Sequence, residues 1–253
     1  MTVAAALAAR VMPFDPVQVD LSQALEPPTW SRPLGSDELG RDLLTRIVYG
    51  ARTSLGIAVG AVCLAASIGT VFGVLSGFVG GRVDVTIMQA VNVTLSFPAV
   101  LLALLLVVLV GQGVMNLIVA IALQAVPGYV RLVRGLVLSV RTNEYMEAAR
   151  AVGCAPLRIV TYYVLPNVLV PMAVQSTFLV AAAVQLTSGL SFLGIGVPPP
   201  TPEWGAILAG GRNYLSLAPH ITLAPGLVLL MVLLALNFLG DTLRDALDPR
   251  LRV

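Results

Sequence analysis

The sequence contains no lysine: its 15 cationic residues are all arginine. With 13 acids against them the net charge is +2, too small to favour a polyanion such as nucleic acid as a partner. There is one histidine, His220, and two cysteines, Cys63 in an apolar run and Cys154 in a polar stretch. So few donors exclude a disulfide framework and a Cys- or His-rich metal site, and no cofactor or metal is expected. Charge of either sign is scarce, at 11% of residues against about 25% in soluble domains. With 57% hydrophobic residues and a mean hydropathy of +0.91, the chain cannot cover a globule with polar surface. Lipid is the expected solvent. Catalytic signatures are missing as well: there is no nucleophile–base pair, no metal-ligand cluster and no glycine-rich phosphate loop with lysine.

What the chain has is long apolar runs, and in lipid these select helices. Residues 3–12 form a run of only ten, interrupted by Arg10, where a spanning helix needs about 20. The run lacks the basic start and cleavage site of a signal peptide. It is too short to cross a membrane alone, and the turn Pro13-Phe-Asp-Pro16 follows it. Residues 17–31 are polar and proline-rich. Ser36, Asp37 and Glu38 then supply a cap and two acids for a helix start. Leu39, Leu43, Leu44, Ile47 and Val48 form one stripe, with Arg41, Asp42, Thr45 and Arg46 opposite. That pattern predicts a helix lying along the membrane surface, joined near Gly50 and Arg52 to the first complete span.

Five complete spans are expected, at about 53–78, within 85–110, and at about 114–130, 164–190 and 221–239. In the first, Gly56, Gly60, Gly69, Gly73 and Gly77 offer close-packing faces. Gly80-Gly81 and Gly111-Gln-Gly113 are turns, and Pro98 is placed to kink the second span or to begin its most apolar half. Arg131 and Arg134 close the third span. His220 begins the last one, while Trp30 and Trp204 are suited to anchor at the membrane interface. Gln89, Asn92, Gln124, Gln175, Gln185 and Asn237 lie in or beside spans, as interhelical glue or as pathway lining. No Asp, Glu, Lys or Arg falls in the middle of a complete span, which argues against a proton- or sodium-coupled carrier. The expected fold is all-α: a polytopic helical membrane protein with five full spans plus a partial N-terminal one.

Between the third and fourth spans lies a polar stretch, Glu144-Tyr-Met-Glu147-Ala148-Ala149-Arg150-Ala-Val-Gly153, running on to Leu165-Pro166-Asn167. Asn143 is placed to cap a helix whose first turn holds Glu144. Tyr145, Ala148, Ala149 and Val152 recur at helical spacing, Gly153 suits the left-handed stop, and Pro156 suits the start of a second helix. The result is a short amphipathic helix with a small-residue face, shaped for another protein's backbone to approach.

This stretch resembles the coupling (EAA) loop of ATP-binding-cassette importer permeases: Glu147-Ala148-Ala149, Gly153 and Leu165-Pro166 stand in register. Tyr163 departs from the pattern, where the family has Ile. Three further motifs resemble the dipeptide/oligopeptide/nickel branch. They are Pro33-Leu-Gly-Ser-Asp-Glu-Leu-Gly-Arg-Asp42, Leu190-Ser-Phe-Leu-Gly-Ile-Gly196 with Pro202-x-Trp204-Gly205, and Asn237-x-x-Gly240-Asp241-x-Leu-Arg244-Asp245-x-Leu-Asp248-Pro249.

The resemblance implies the transmembrane domain of a type I importer in a bacterial inner membrane. Residues 1–52 would be a partial first span, extracytoplasmic segment and interfacial helix, and residues 53–253 the permease domain, with its coupling loop at 139–163. It implies a homologous permease, two cytoplasmic ATPases and an extracytoplasmic solute-binding protein as partners, with lipid around them. Glu147 would orient or charge-pair the docked helix, flanked by Tyr145 and Arg150. Ala148 and Ala149 would pack in the ATPase groove, Gly153 would shape the elbow, and Pro166 would start the fourth span. With no Walker motif here, ATP would be hydrolysed by the partners. Arginine counting places this loop and the tail in the cytoplasm. Peptides are the expected substrate, with nickel or glutathione as alternatives within the branch. A secondary carrier without ATPases is the alternative from another class.

Overall fold

The computed structural model describes residues 14–247, so the half-span expected at 3–12, and Arg250 and Arg252 of the tail, lie outside the described residues. Among the described residues the only strand-like pairing is an isolated bridge between Ser36 and Asp42; the rest is helix, turn and loop. The principal helices are α1 (Leu43–Val79), α2 (Gly81–Leu95), α3 (Ala99–Val110), α4 (Val114–Arg141), α5 (Glu144–Ala151) and α6 (Pro156–Ile159). A π-helical segment, Val160–Val164, leads into α7 (Leu165–Phe192), followed by α8 (Trp204–Gly211) and α9 (His220–Leu247).

Four helical stretches are long and apolar enough to cross a membrane: α1, α4, Pro156–Phe192 and α9. The fifth expected span is broken. Helices α2 and α3 meet at 91° across Ser96, Phe97 and Pro98, and the count reaches five only if this bent pair is one span. Pro98 stands just ahead of α3, where a missing N–H breaks no helical bond. Helix α4 runs on to Arg141, so Arg131 and Arg134 lie on the helix instead of closing it.

Packing divides the chain into two units. The first comprises the chain up to Ala61, Ala103–Ile121 and Val180–Leu236. Leu43, Ile47, Ile57, Leu117, Ile121 and Trp204 are buried in it. Here the structure corrects the surface helix expected from Ser36. The Asp37 carboxylate folds the segment into a turn: Oδ1 accepts from Leu39 N at 2.9 Å and Arg41 N at 3.0 Å. Oδ2 accepts from Arg41 Nε at 2.7 Å and lies 3.2 Å from Arg46 Nε. Asp42 then caps the helix, accepting from Thr45 N at 2.8 Å, and α1 starts at Leu43 and passes Gly50 and Arg52 without a break. Arg41, Asp42, Thr45 and Arg46, read as a solvent-facing side, are buried, and Arg46 Nη1 donates to Pro16 O at 3.0 Å. The polar face of α1 is covered by the chain's own preceding segment.

The loop before α9 also carries more structure than expected. Glu203 is fully buried; it accepts from Ser54 Oγ and, as the cap of α8, from Ala206 N, both at 2.9 Å. Trp204, expected at the membrane interface, is an internal residue whose Nε1 donates to Ile47 O at 2.9 Å. His220 does begin α9, and its Nε2 lies 3.3 Å from Ser36 O.

The second unit comprises Val62–Leu102, Ala122–Leu179 and the chain from Asn237. Its centre is the crossing of α1 and α4. A Cβ on Gly69, Gly73 or Gly77 would run into Tyr129, Val133 and Val137 respectively, at 2.8 Å in the last case. At Gly69, Gly73 and Gly77 the glycine face read from the sequence is thus where two backbones approach, as small residues permit in lipid; at Gly56, expected on the same face, an added Cβ would meet nothing within 4 Å. Polar bonds fasten α4 alongside. Arg134 binds Asp84 of α2, Arg131 Nη2 donates to Asn92 Oδ1 at 2.8 Å, and Arg141 Nη1 donates to Gly77 O at 2.7 Å. Tyr129 and Ser176 share a 2.7 Å hydrogen bond that adds α7 to the group.

Candidate functional site

Helix α5 lies in the second unit and is closed at both ends by its own sequence. Asn143 is extended, as a capping residue should be, but its side chain does not cap the helix. Its amide donates instead to Tyr145 Oη at 3.0 Å, and Met146 N bonds the Asn143 carbonyl at 2.9 Å. Glu144 and Glu147 occupy the first turn, where the positive helix end favours carboxylates. At the far end Gly153 has φ +78°, Gly153 N donates to Arg150 O and Cys154 N to Ala149 O, both at 3.0 Å. These two bonds form a Schellman stop, and they need a left-handed residue at Gly153.

Two side chains pin the helix to the rest of the chain, Met146 fully buried and Ala149 at 5% exposure. The other face is open: Tyr145, Glu147, Ala148, Arg150 and Val152 are all exposed, Val152 at 78%. The Ala148-Ala149 pair is therefore divided, with Ala148 outward and Ala149 holding the helix down from inside. Sequence spacing alone did not mark Met146 as the second anchor. Its position three residues before Ala149 is the signal that identifies it.

The exit from α5 is tied to the following helix. The rings of Tyr145 and Tyr163 stack with centroids 6.2 Å apart, so the residue that departs from the Ile pattern makes this link. Pro156 opens α6 as its first residue. Leu157 and Tyr162 project outward and extend the apolar surface beyond α5, with Arg158 5.9 Å from the Tyr162 ring centre. Pro166, expected to start the fourth span, is the second residue of α7, within a continuous helical path that begins at Pro156. It has no N–H to return to the carbonyl four residues back, and the preceding turn widens to π geometry, with Leu165 N bonded to Val160 O. The Asn167 side chain donates to Tyr163 O at 2.7 Å within the same turn.

Among the described residues there is no group of three or more His, Cys, Asp or Glu disposed to hold a metal ion. The arrangement is a short, doubly anchored helix with one charged and apolar face exposed.

This helix, set in a polar stretch between apolar spans, belongs to a multi-span membrane protein. The sequence comparison names the family: the chain belongs to the binding-protein-dependent transport system inner membrane components, whose model matches residues 69–253. It is 42% identical to a di/tripeptide transport system permease of Pseudomonas aeruginosa, over 96% of this chain and 82% of the relative. It is 38% identical to a dipeptide transport system permease of Haemophilus influenzae, over 97% and 85%. A glutathione transport system permease of Pectobacterium atrosepticum is also 38% identical, over 96% and 81%. The fold is similar to that of the MetNI methionine ABC transporter in inward-facing conformations, with a TM-score of 0.65 at 23% identity, over 81% of this chain and 96% of that one. The chain is a multi-pass inner-membrane permease of the ATP-binding-cassette importer class, a family that works with ATPase and solute-binding components.

Proposed function

We propose that this chain conducts small peptides and that α5 is the element through which ATP hydrolysis reaches it. One observation carries the coupling role. The helix is anchored by Met146 and Ala149, stopped by Gly153, and presents Glu147, Ala148 and Arg150 outward with no covering segment among the described residues. An exposed apolar rim at Val152, Leu157 and Tyr162 next to free charge suits a protein partner better than water.

In this reading two ATPases bind at α5 and its counterpart on a homologous permease. Their closure on ATP moves the helix as a rigid piece. The Gly153 stop and the Tyr145–Tyr163 stack pass that movement to Pro156–Phe192, so Pro166 and its π turn lie on the transmitting path. Glu147 pairs with a cation of the ATPase, and Ala148 lets its backbone approach. Ala149, for which the sequence suggested the same role, acts from inside by holding α5 in place. Catalysis belongs to the ATPases. The loop at 139–163 and the tail face the cytoplasm, with residues 53–253 as the permease domain and the segment before them extracytoplasmic. Solute arrives there on a binding protein. The peptide class is supported by the relatives, which are named for dipeptides, di- and tripeptides and glutathione.

Purification of the tagged chain in mild detergent tests the assembly. We expect two ATPases and a second permease to co-purify, and deletion of residues 143–153 to release the ATPases while leaving the permease pair. Retention of the ATPases by the deletion variant, with full uptake, would overturn the coupling role.

A further inference from the structure

We propose that the cavity beside Arg52 in the first unit binds a carboxylate, namely the C-terminal carboxylate of a small peptide in transit. This assignment rests on the reading of the chain as a peptide permease. The cavity has a volume of about 390 Å³ and is lined by Arg52, Thr53 and Gly56 of α1, Val114 of α4, and Thr201 and Pro202 of the loop before α8, among others. That size lies within the range of small-ligand pockets, roughly 300–1,000 Å³, and admits a whole tripeptide.

Arg52 is the feature that points to a ligand. The arginines around it are engaged: Arg41 and Arg46 with Asp37, and Arg32 with Gly40 O. Arg52 is exposed and has no hydrogen bond or ion pair among the described residues, although the helix that carries it is long and apolar enough to cross a membrane. Glu203, next to Pro202, forms no ion pair with it; one Glu203 oxygen accepts from Ser54 and the other from Ala206. A cation left without a counterion beside apolar walls is open to an incoming carboxylate, which would supply the missing charge. The guanidinium fork matches a carboxylate with two parallel hydrogen bonds. Thr53 and Thr201 line the same cavity, and their hydroxyls can both donate and accept hydrogen bonds. At Gly56, which also lines the cavity, an added Cβ would meet nothing within 4 Å, which leaves room for a ligand side chain.

A protein carboxylate shares this chemistry, so the test separates the two sources. In the assembled importer in detergent, with Cys63 and Cys154 replaced by serine, Thr201→Cys is labelled with a thiol reagent and the rate is followed. Tri-alanine is expected to slow labelling, and tri-alanine amide to leave it unchanged. Arg52→Gln is expected to raise the half-protecting concentration about tenfold, the scale of one charge-assisted hydrogen bond, and Arg52→Lys to recover part of it. Equal protection by both peptides, protection by neither, or protection by the unloaded binding protein alone would overturn the site. ATP-driven uptake measured on the same preparation reports separately on the importer reading: uptake without protection removes the site and leaves the permease in place.

Discussion

Arg134 holds Asp84 with both arms of its guanidinium, Nε donating to Oδ1 at 2.6 Å and Nη2 to Oδ2 at 2.7 Å. Ser76 Oγ donates to the same carboxylate from α1, so three helices meet at one acid. The pair is partly exposed, which lowers its worth below that of a dry ion pair. Its bidentate geometry and third partner raise it above an ordinary surface bridge. Arg134→Gln should therefore destabilise the protein by about 1–2 kcal/mol, the cost of losing charge-assisted hydrogen bonds. Thermal unfolding in detergent reads this as a lower midpoint. An unchanged midpoint would mean that the clasp contributes nothing to holding α2 and α4 together.

The glycine face of α1 gives a contrast within one protein. Gly73→Val places its new atoms against Val133, in a contact that is closed to a Cβ. Helix α1 must move away from α4, at a cost of about 1–3 kcal/mol or more from overpacking. Gly128→Ala, where the added Cβ meets nothing within 4 Å, should be neutral or stabilise by about 0.5–1 kcal/mol through helix propensity. Val133→Ala should partly rescue Gly73→Val. The yield of monodisperse protein after heating ranks the three variants, and a Gly73→Val protein as stable as Gly128→Ala would refute the close approach.

The elbow at Gly153 separates conformation from space. A Cβ added there would meet nothing within 4 Å, so only the positive φ restricts the position. Gly153→Asn should retain most uptake and Gly153→Val should lose it, since a β-branched residue resists the left-handed region by about 1–2 kcal/mol or more. Glu147→Lys should insert normally and uncouple uptake by reversing charge on the free face. Normal uptake by both Gly153→Val and Glu147→Lys, at normal expression, would remove α5 from the coupling path.

Topology is open to direct labelling. Cys154, partly exposed after the Gly153 stop, should react with impermeant thiol reagents only from the cytoplasmic side. In a Cys154→Ser background, Thr201→Cys should react only from outside. The reverse pattern would put the arginine-rich loop on the wrong face of the membrane.

Much of this architecture can be read from the sequence because lipid leaves the chain few choices. Run length located the helices around α1, α4, α7 and α9, and glycine spacing marked the face of α1 that α4 packs against, without naming the partner. The left-handed stop at Gly153 followed from the end of a short periodic stretch. What escaped depended on tertiary partners. Periodicity shows that Arg41, Asp42, Thr45 and Arg46 share a face, but not that residues 14–42 of the same chain cover it. Trp204 looked like an interface residue because nothing local reveals that Ile47 O accepts its N–H. Pro98 marked a break whose 91° angle no residue pattern encodes. At the site, helical spacing grouped Ala148 with Ala149, and only packing showed that one faces out and the other in.

Above all, this chain should move solute only when ATPases act on it through α5. The most direct measurement is uptake of tri-alanine into vesicles that contain the chain and its partner permease, with the binding protein supplied, in the presence and absence of the two ATPases and ATP. Accumulation against a gradient is expected only with ATPases and ATP together, and should be lost when residues 143–153 are deleted. Accumulation by vesicles that contain no ATPase would contradict the coupling of transport to ATP through this helix.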